Sequence, residues 1–292
     1  MRPITVDAAA DVGAGSGPPL SDRDLRAITS LVYKKSGITL HDGKRALVAA
    51  RLQKRLRAVG VSTFTEYLRF VQEDGSGNEL VMLLDSIATN HTSFFREPQH
   101  FEFLKGHVIP GYRARAGAEA RRLEVWSAAC SSGEEPYTLA ITLRDNLPEA
   151  AWASVRILAS DLSTKVLRQA QSAIYKLERV QNLPMDVLRK HFERGLGDQA
   201  GLVRVGTAAR RAVEFRQLNL LEIGDLQRRF DVIFCRNVMI YFDRDVQQRV
   251  VSMLERHLAP GGFLFISHSE SLNGVKHGLK WMAPAVYRRR DA

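Results

Sequence analysis

A chain of 292 residues exceeds the roughly 100 to 200 that one domain usually holds, so two folded units are expected. Hydrophobic residues at 45% and charged ones at 25% match a soluble globular protein; no apolar run approaches the roughly 18 residues of a membrane span, and the first 20 residues lack a signal peptide's apolar core. The formal charge of +10 favours an acidic partner, whether nucleic acid, anionic lipid or protein surface, without choosing among them. A cytoplasmic protein with no direct membrane insertion is therefore expected. Cys130 and Cys235 sit in no CxxC or Cys/His spacing, so they read as reduced thiols and no metal site is expected.

Residues 7–19 are small, aperiodic and rich in Gly and Pro, so 1–19 read as a disordered tail. Ser21 with Asp24 resembles a capping box, and Leu25, Ile28, Leu31 and Val32 follow at helical spacing until Gly37. Asp42 is placed to cap a second helix over 43–59, ended by Gly60. Thr63 with Glu66 is a further capping box for a third helix, and 79–88 read as a fourth. Residues 20–88 are expected to form an all-α N-terminal domain.

From residue 89 to 292 the pattern changes. Short apolar runs at 123–128, 155–160, 213–217, 230–235 and 262–267, mostly separated by helical stretches, predict a doubly wound α/β sheet with parallel strands. The interval 174–212 is too long for one crossover, and alternation over 202–205 between Gly-rich turns predicts a small antiparallel β-subdomain inserted there.

In such a sheet, ligands bind beyond the carboxyl ends of the strands. After the first strand, Ser127 to Pro136 is a loop of small residues leading into a helix, which lets a ligand approach the backbone and meet free N–H groups. The second strand ends at Asp161, which can accept the ribose hydroxyls of a nucleoside; its other use is to cap the next helix, which Ser163 could do instead. Glu134 and Glu135 would repel a phosphate and welcome a cationic sulfonium or α-amino group. The fourth strand runs out into Arg236, Asn237 and Tyr241, hydrogen-bonding groups where a structural loop more often shows Gly, Asp or Ser. Upstream of the sheet, Asn90 to Arg96 mixes polar groups with Phe94 and Phe95, two aromatics that read as plugging the domain junction. Ala259 to Gly262 reads as a turn without chemistry.

Together Asn90-x-Thr92-x-Phe94-Phe95-Arg96-Glu97, Gly133-Glu134-Glu135-Pro136-Tyr137, Ala159-Ser160-Asp161, Asn219-Leu220-Leu221 and Cys235 to Phe242 resemble the chemotaxis receptor methyltransferase family, CheR, over roughly residues 20–290. The resemblance implies an all-α domain before an S-adenosylmethionine-dependent methyltransferase sheet with a β-subdomain. It implies that Asn90, Thr92, Arg96, Asp161, Asn219, Leu220, Arg236, Asn237 and one of Glu134 and Glu135 contact the cofactor, with Tyr241 near the transferred methyl. The implied reaction esterifies glutamates on methyl-accepting chemotaxis receptors and releases S-adenosylhomocysteine; a monomer is expected. Arg96 and Tyr241 are the residues expected to orient the reacting groups. A nucleic-acid methyltransferase is the weaker alternative, because base-modifying enzymes often show Asp/Asn-Pro-Pro-aromatic where this chain has Arg236-Asn-Val-Met; no nucleic-acid partner is expected. A non-enzymatic signalling module is disfavoured by the intact set of polar groups.

The basic charge is densest on the second helix. Lys44, Arg51 and Arg55 share one helical face with Lys54 beside them, while Leu52, Leu56 and Val59 lie on another, so an exposed cationic face is expected to dock the acidic receptor helix.

Overall fold

The computed structural model describes residues 18–40, 42–116 and 122–291; the expected tail over 1–19 lies almost wholly outside them, as does the side chain of Asp42. Two compact units emerge, one from residues 18–28 and 42–87 and the other from 29–40 and 88–291, the undescribed 117–121 aside. Among the described residues no helix is long and apolar enough to cross a membrane.

The first unit is helical. It holds the start of α1 (Asp22–Ser36), then α2 (Arg45–Val59), α3 (Phe64–Glu73) and α4 (Asn78–Ile87). Ser21 caps α1 by accepting the Asp24 N–H at 3.1 Å, but Asp24 accepts the Ser21 hydroxyl and not its backbone N–H, so this is half a capping box. Thr63 and Glu66 form the full reciprocal box at α3. A 3-10 turn, Asp42–Lys44, precedes α2, and Gly60 ends it in the left-handed conformation that a residue with a side chain resists. Val48, Leu52, Leu56, Phe64, Tyr67, Leu83 and Ile87 fill the core. Buried Glu79 accepts Arg55 Nε at 2.9 Å, Arg55 Nη2 at 2.6 Å and the Tyr67 hydroxyl at 2.7 Å, so the acid is fully partnered.

The second unit takes the end of α1 and then α5 (Gln99–Phe103) and α6 (Ile109–Ala116), joined by a π-helical turn, Leu104–Val108. There follow β1 (Leu123–Ala128), α7 (Glu134–Asn146), α8 (Glu149–Trp152), β2 (Val155–Asp161), α9 (Thr164–Ser172), β3 (Ile174–Lys176), α10 (Met185–His191), β4 (Phe192–Arg194) and β5 (Leu202–Val205). The chain continues through α11 (Thr207–Ala212), β6 (Val213–Gln217), β7 (Phe230–Cys235), α12 (Arg244–His257), β8 (Leu258–Phe265), β9 (Lys280–Ala283) and β10 (Val286–Arg288). The main sheet has the order β6-β2-β1-β7-β8-β10-β9, and β6, β2, β1, β7 and β8 run parallel. After β1 the chain builds outward to β6 and then returns to the other flank of β1 with β7. In open α/β sheets such a reversal is where ligands bind, here at the carboxyl ends of β1 and β7. Register keeps those ends level, with Ala128 opposite both Ser160 and Cys235.

The expected small antiparallel sheet is present within 174–212 as β3-β5-β4, accompanied by α10 and α11, which the sequence reading did not anticipate. The C-terminal β9 and β10 are also additions, antiparallel on the β8 edge. One expectation is corrected: Ala259 to Gly262 belongs to β8 and is not a free turn. A Cβ at Gly262 would lie 2.9 Å from the Phe230 carbonyl, so glycine lets β8 close on β7 where their register shifts. Both cysteines are buried free thiols.

Candidate active site

The loop after β1 bends through left-handed backbone at Ala129, Ser131 and Gly133. Only Gly133 has no alternative: a Cβ there would stand 2.8 Å from the Ala170 Cβ and 2.9 Å from the Tyr175 hydroxyl. Asp161, at the end of β2 and 8% exposed, holds this loop, one carboxylate oxygen accepting the Ser131 N–H at 2.8 Å and the other the Ser163 N–H at 2.9 Å. Ser163 is the cap of α9, accepting the Val166 N–H. Asp161 is thereby released from the capping role, but it is not a free acceptor; it is a loop anchor as well.

The two glutamates at the start of α7 part company. Glu134 is sealed, with an ion pair to Arg179 from the β insertion and a 2.7 Å hydrogen bond from the Ser132 hydroxyl. Arg179 also donates to the Thr92 carbonyl at 3.1 Å. Glu135 keeps 12% side-chain exposure and accepts the Ser127 hydroxyl at 2.7 Å and Arg236 Nη1 at 3.1 Å. Burial raises its carboxyl pKa, against the pull of Arg236 and Ser127. Each carboxylate therefore has a guanidinium partner, Arg236 being shared with Glu97, which offsets part of the negative charge that the sequence places at this helix start.

Arg236 is buried at the end of β7. It pairs with Glu97 at 3.1 Å and with Glu135, donates to the Arg96 carbonyl at 2.6 Å and lies over the rings of Phe101 and Phe234. Asn237, in left-handed backbone, donates from Nδ2 to the Ser267 hydroxyl at 2.6 Å. Glu97 gathers the next strand end: it accepts the Ser267 hydroxyl at 2.7 Å and His268 Nδ1 at 3.0 Å. Burial alone would raise its pKa, but the Ser267 bond and the Arg236 charge outweigh it and hold the carboxyl at about 2. Glu97, His100 and His268 bring one ligand atom each within 4.8 Å of one another, a spacing that could hold a metal ion. A cation there would have to compete with Arg236 for the same Glu97 oxygen, and the two imidazoles are stacked face to face at 4.5 Å, a poor ligand geometry.

The Asn90 carbonyl accepts the Ser131 hydroxyl at 3.0 Å, and Thr92 is buried. Half-buried Arg96 donates to the His91 carbonyl at 2.8 Å. Phe94 packs edge-on against Tyr175 and Phe192, and Phe95 against Phe101, all within this unit. The Asn219 amide donates to the Lys35 carbonyl at 2.7 Å and accepts the Leu221 N–H, while Leu220 packs on the β7–α12 side of the core. Tyr241 ends a 3-10 turn, Met239–Tyr241, and its carbonyl accepts the Thr39 N–H at 2.8 Å. Lys44, in the turn before α2, and Lys54, on α2, are exposed, but Arg51 donates to the Ile87 carbonyl at 2.6 Å and Arg55 is spent on Glu79. That corrects the expected four-cation face.

Glu97, Arg179, Ser267, His268 and Glu270 carry much of this network without having been nominated. Ser267 to Glu270 are legible in the sequence, because they close and directly follow the apolar run over 262–267, and ligands bind at the carboxyl ends of such strands. Arg179 is not, since nothing near it in sequence announces a carboxylate partner.

Carboxylates and amides around a glycine-bearing loop, with the Arg179 and Arg236 guanidinium groups already paired to carboxylates, suit a nucleoside carrying a cationic side arm better than a pyrophosphate. Comparison with known proteins agrees. Residues 90–287 match the family described as "CheR methyltransferase, SAM binding domain", and residues 23–88 match "CheR methyltransferase, all-alpha domain". A chemotaxis protein methyltransferase of Klebsiella aerogenes is 40% identical over 293 residues, covering 98% of each chain. Another, from Escherichia coli, is 41% identical over 271 residues, covering 92% of this chain and 91% of the relative.

Proposed function

Because the chain belongs to the CheR methyltransferase family, whose cofactor is S-adenosylmethionine, we propose that it esterifies glutamate side chains on the cytoplasmic helices of methyl-accepting chemotaxis receptors, as a protein-glutamate O-methyltransferase. The observation that carries this is the convergence of Asp161, Glu135 and Asn237 on the level strand ends at the sheet's reversal point, in a chain whose near-full-length relatives are named chemotaxis protein methyltransferases.

When bound, S-adenosylmethionine supplies a methyl group made electrophilic by its sulfonium. Asp161 would accept the ribose hydroxyls while it holds the Ser131 and Ser163 N–H groups. Glu135 and not Glu134 would face the cofactor, because Glu134 is fully buried beneath Arg179. Asn90, Thr92, Arg236 and Asn237 would line the site; Asn219 would act through the loop it ties, offering the backbone of that loop and of Leu220. The acceptor carboxylate is already ionised at neutral pH, its unperturbed pKa being about 4.3, so no general base is required. Arg96 and Tyr241 would orient it, and proximity can contribute roughly 7 to 11 kcal/mol. The organisation proposed is a helical domain over 20–88 and a methyltransferase domain over 89–292, acting as a cytoplasmic monomer, with exposed Lys44 and Lys54 meeting the acidic receptor helix.

Incubating the protein with receptor-bearing membranes and methyl-labelled cofactor tests this. Base-labile methyl esters on the receptor are expected; label that appears only on nucleic acid, or nowhere, would sink the proposal.

A further inference from the structure

Between the ends of β7 and β8 a single carboxylate receives four backbone N–H groups. Glu270 Oε1 accepts from Met239 at 2.8 Å and Ile240 at 3.3 Å, and Oε2 accepts from Ser267 at 2.8 Å and Asn237 at 3.2 Å. We propose that Glu270 is a positioning residue for methyl transfer, fastening the loop that carries Asn237 and Tyr241 to the end of β8. The inference rests on the reading of Asn237 and Tyr241 given above.

Three features support a positioning role. Asn237 sits at φ +59°, a left-handed conformation that asparagine visits more readily than most non-glycine residues and that its hydrogen bonds here hold in place. Its N–H is fixed by Glu270 and its side-chain amide by Ser267, so the residue is held at both ends from the segment that follows β8. The 3-10 turn ending at Tyr241 is likewise bracketed: Glu270 takes the N–H groups at its start, Gln247 Nε2 donates to the Met239 carbonyl at 3.0 Å, and Thr39 N–H donates to the Tyr241 carbonyl. Finally, burying an acid is costly, and a loop that needed only closure could be closed by apolar packing or by one amide. A carboxylate is the one side chain with two acceptor oxygens and no donor, which four converging N–H groups demand.

Glutamine is nearly isosteric but can accept on one arm only; its NH2 would face two N–H donors on the other. In Glu270→Gln the turnover number should therefore fall on the order of tenfold while KM for a receptor fragment and the dissociation constant for S-adenosylhomocysteine stay within about threefold. Hydrogen exchange of the 237–240 amides should rise selectively, with protection elsewhere in the sheet retained. Tyr241→Phe is measured beside it. Wild-type turnover in Glu270→Gln alongside a deficient Tyr241→Phe would overturn the clamp while leaving the site reading intact. If the wild-type protein transfers no methyl to the receptor fragment, the functional reading fails and exchange decides the clamp: unchanged protection at 239 and 240 overturns it, and selective loss upholds it. Loss of protection throughout the sheet would also overturn it, by making Glu270 a residue of the fold.

Discussion

Glu97 and Arg236 form an ion pair at 3.1 Å, and beside it His100, 1% exposed, has neither ring nitrogen hydrogen-bonded. Its imidazole packs edge-on against Phe234 and Phe265 and stacks on His268. Burial first, then the charge of Arg236, lowers its pKa to about 3 against a modest opposing effect of Glu97. In the unfolded chain the same ring titrates near 6.5. Between those values the unfolded state binds the proton and the folded state does not, so stability rises with pH through that window. Going from pH 7 to pH 5 should cost on the order of 2 kcal/mol through this residue alone. Denaturant melts of wild type and His100→Phe at both pH values check it; the variant should lose that much less, and equal losses would refute it.

Asp161 has two duties, so replacing it should have two effects. Asp161→Ala removes the proposed ribose acceptor and is expected to weaken S-adenosylhomocysteine binding by roughly 1.5 to 3 kcal/mol. It also strands the N–H groups of Ser131 and Ser163, so stability should fall by about 1 to 3 kcal/mol, although Ser163 still caps α9. Calorimetric titration and thermal melting separate the two, and an unchanged affinity would remove Asp161 from the site.

The arginines of α2 and the lysines on and just before it should respond differently to charge reversal. Arg55→Glu places a second carboxylate against the buried Glu79 and should destabilise the protein by about 3 kcal/mol or more, whatever the substrate. Lys44→Glu with Lys54→Glu touches exposed groups and should leave stability and cofactor affinity intact. If these lysines steer the encounter with the receptor, methylation by the double variant is slowed at low salt, and the difference narrows as the Debye length drops below about 8 Å. Equal rates in low salt would show a merely solvated surface.

What the amino-acid sequence determined by itself was set by local periodicity and by order along the chain. The Thr63–Glu66 box, the stop at Gly60, the alternation of apolar runs with helices and the β insertion were all legible, because caps, turns and amphipathic faces are set by residues three or four apart. The family was legible for a similar reason: its motifs recur in a fixed linear order. Tertiary structure alone decided which partners each charge would find. Arg51 and Arg55 look like a cationic face on a helical wheel until α4 brings the Ile87 carbonyl and Glu79 against them. Glu134 and Glu135 are indistinguishable in sequence, yet successive helix positions point about 100° apart, so one is buried beneath Arg179 and the other retains access beside Arg236. Glu97 and Glu270 meet their donors across as many as 171 and 33 residues of chain, separations over which no sequence pattern carries information. The pairing of a charge depends on the folded path of the backbone, and only the assembled sheet supplies that.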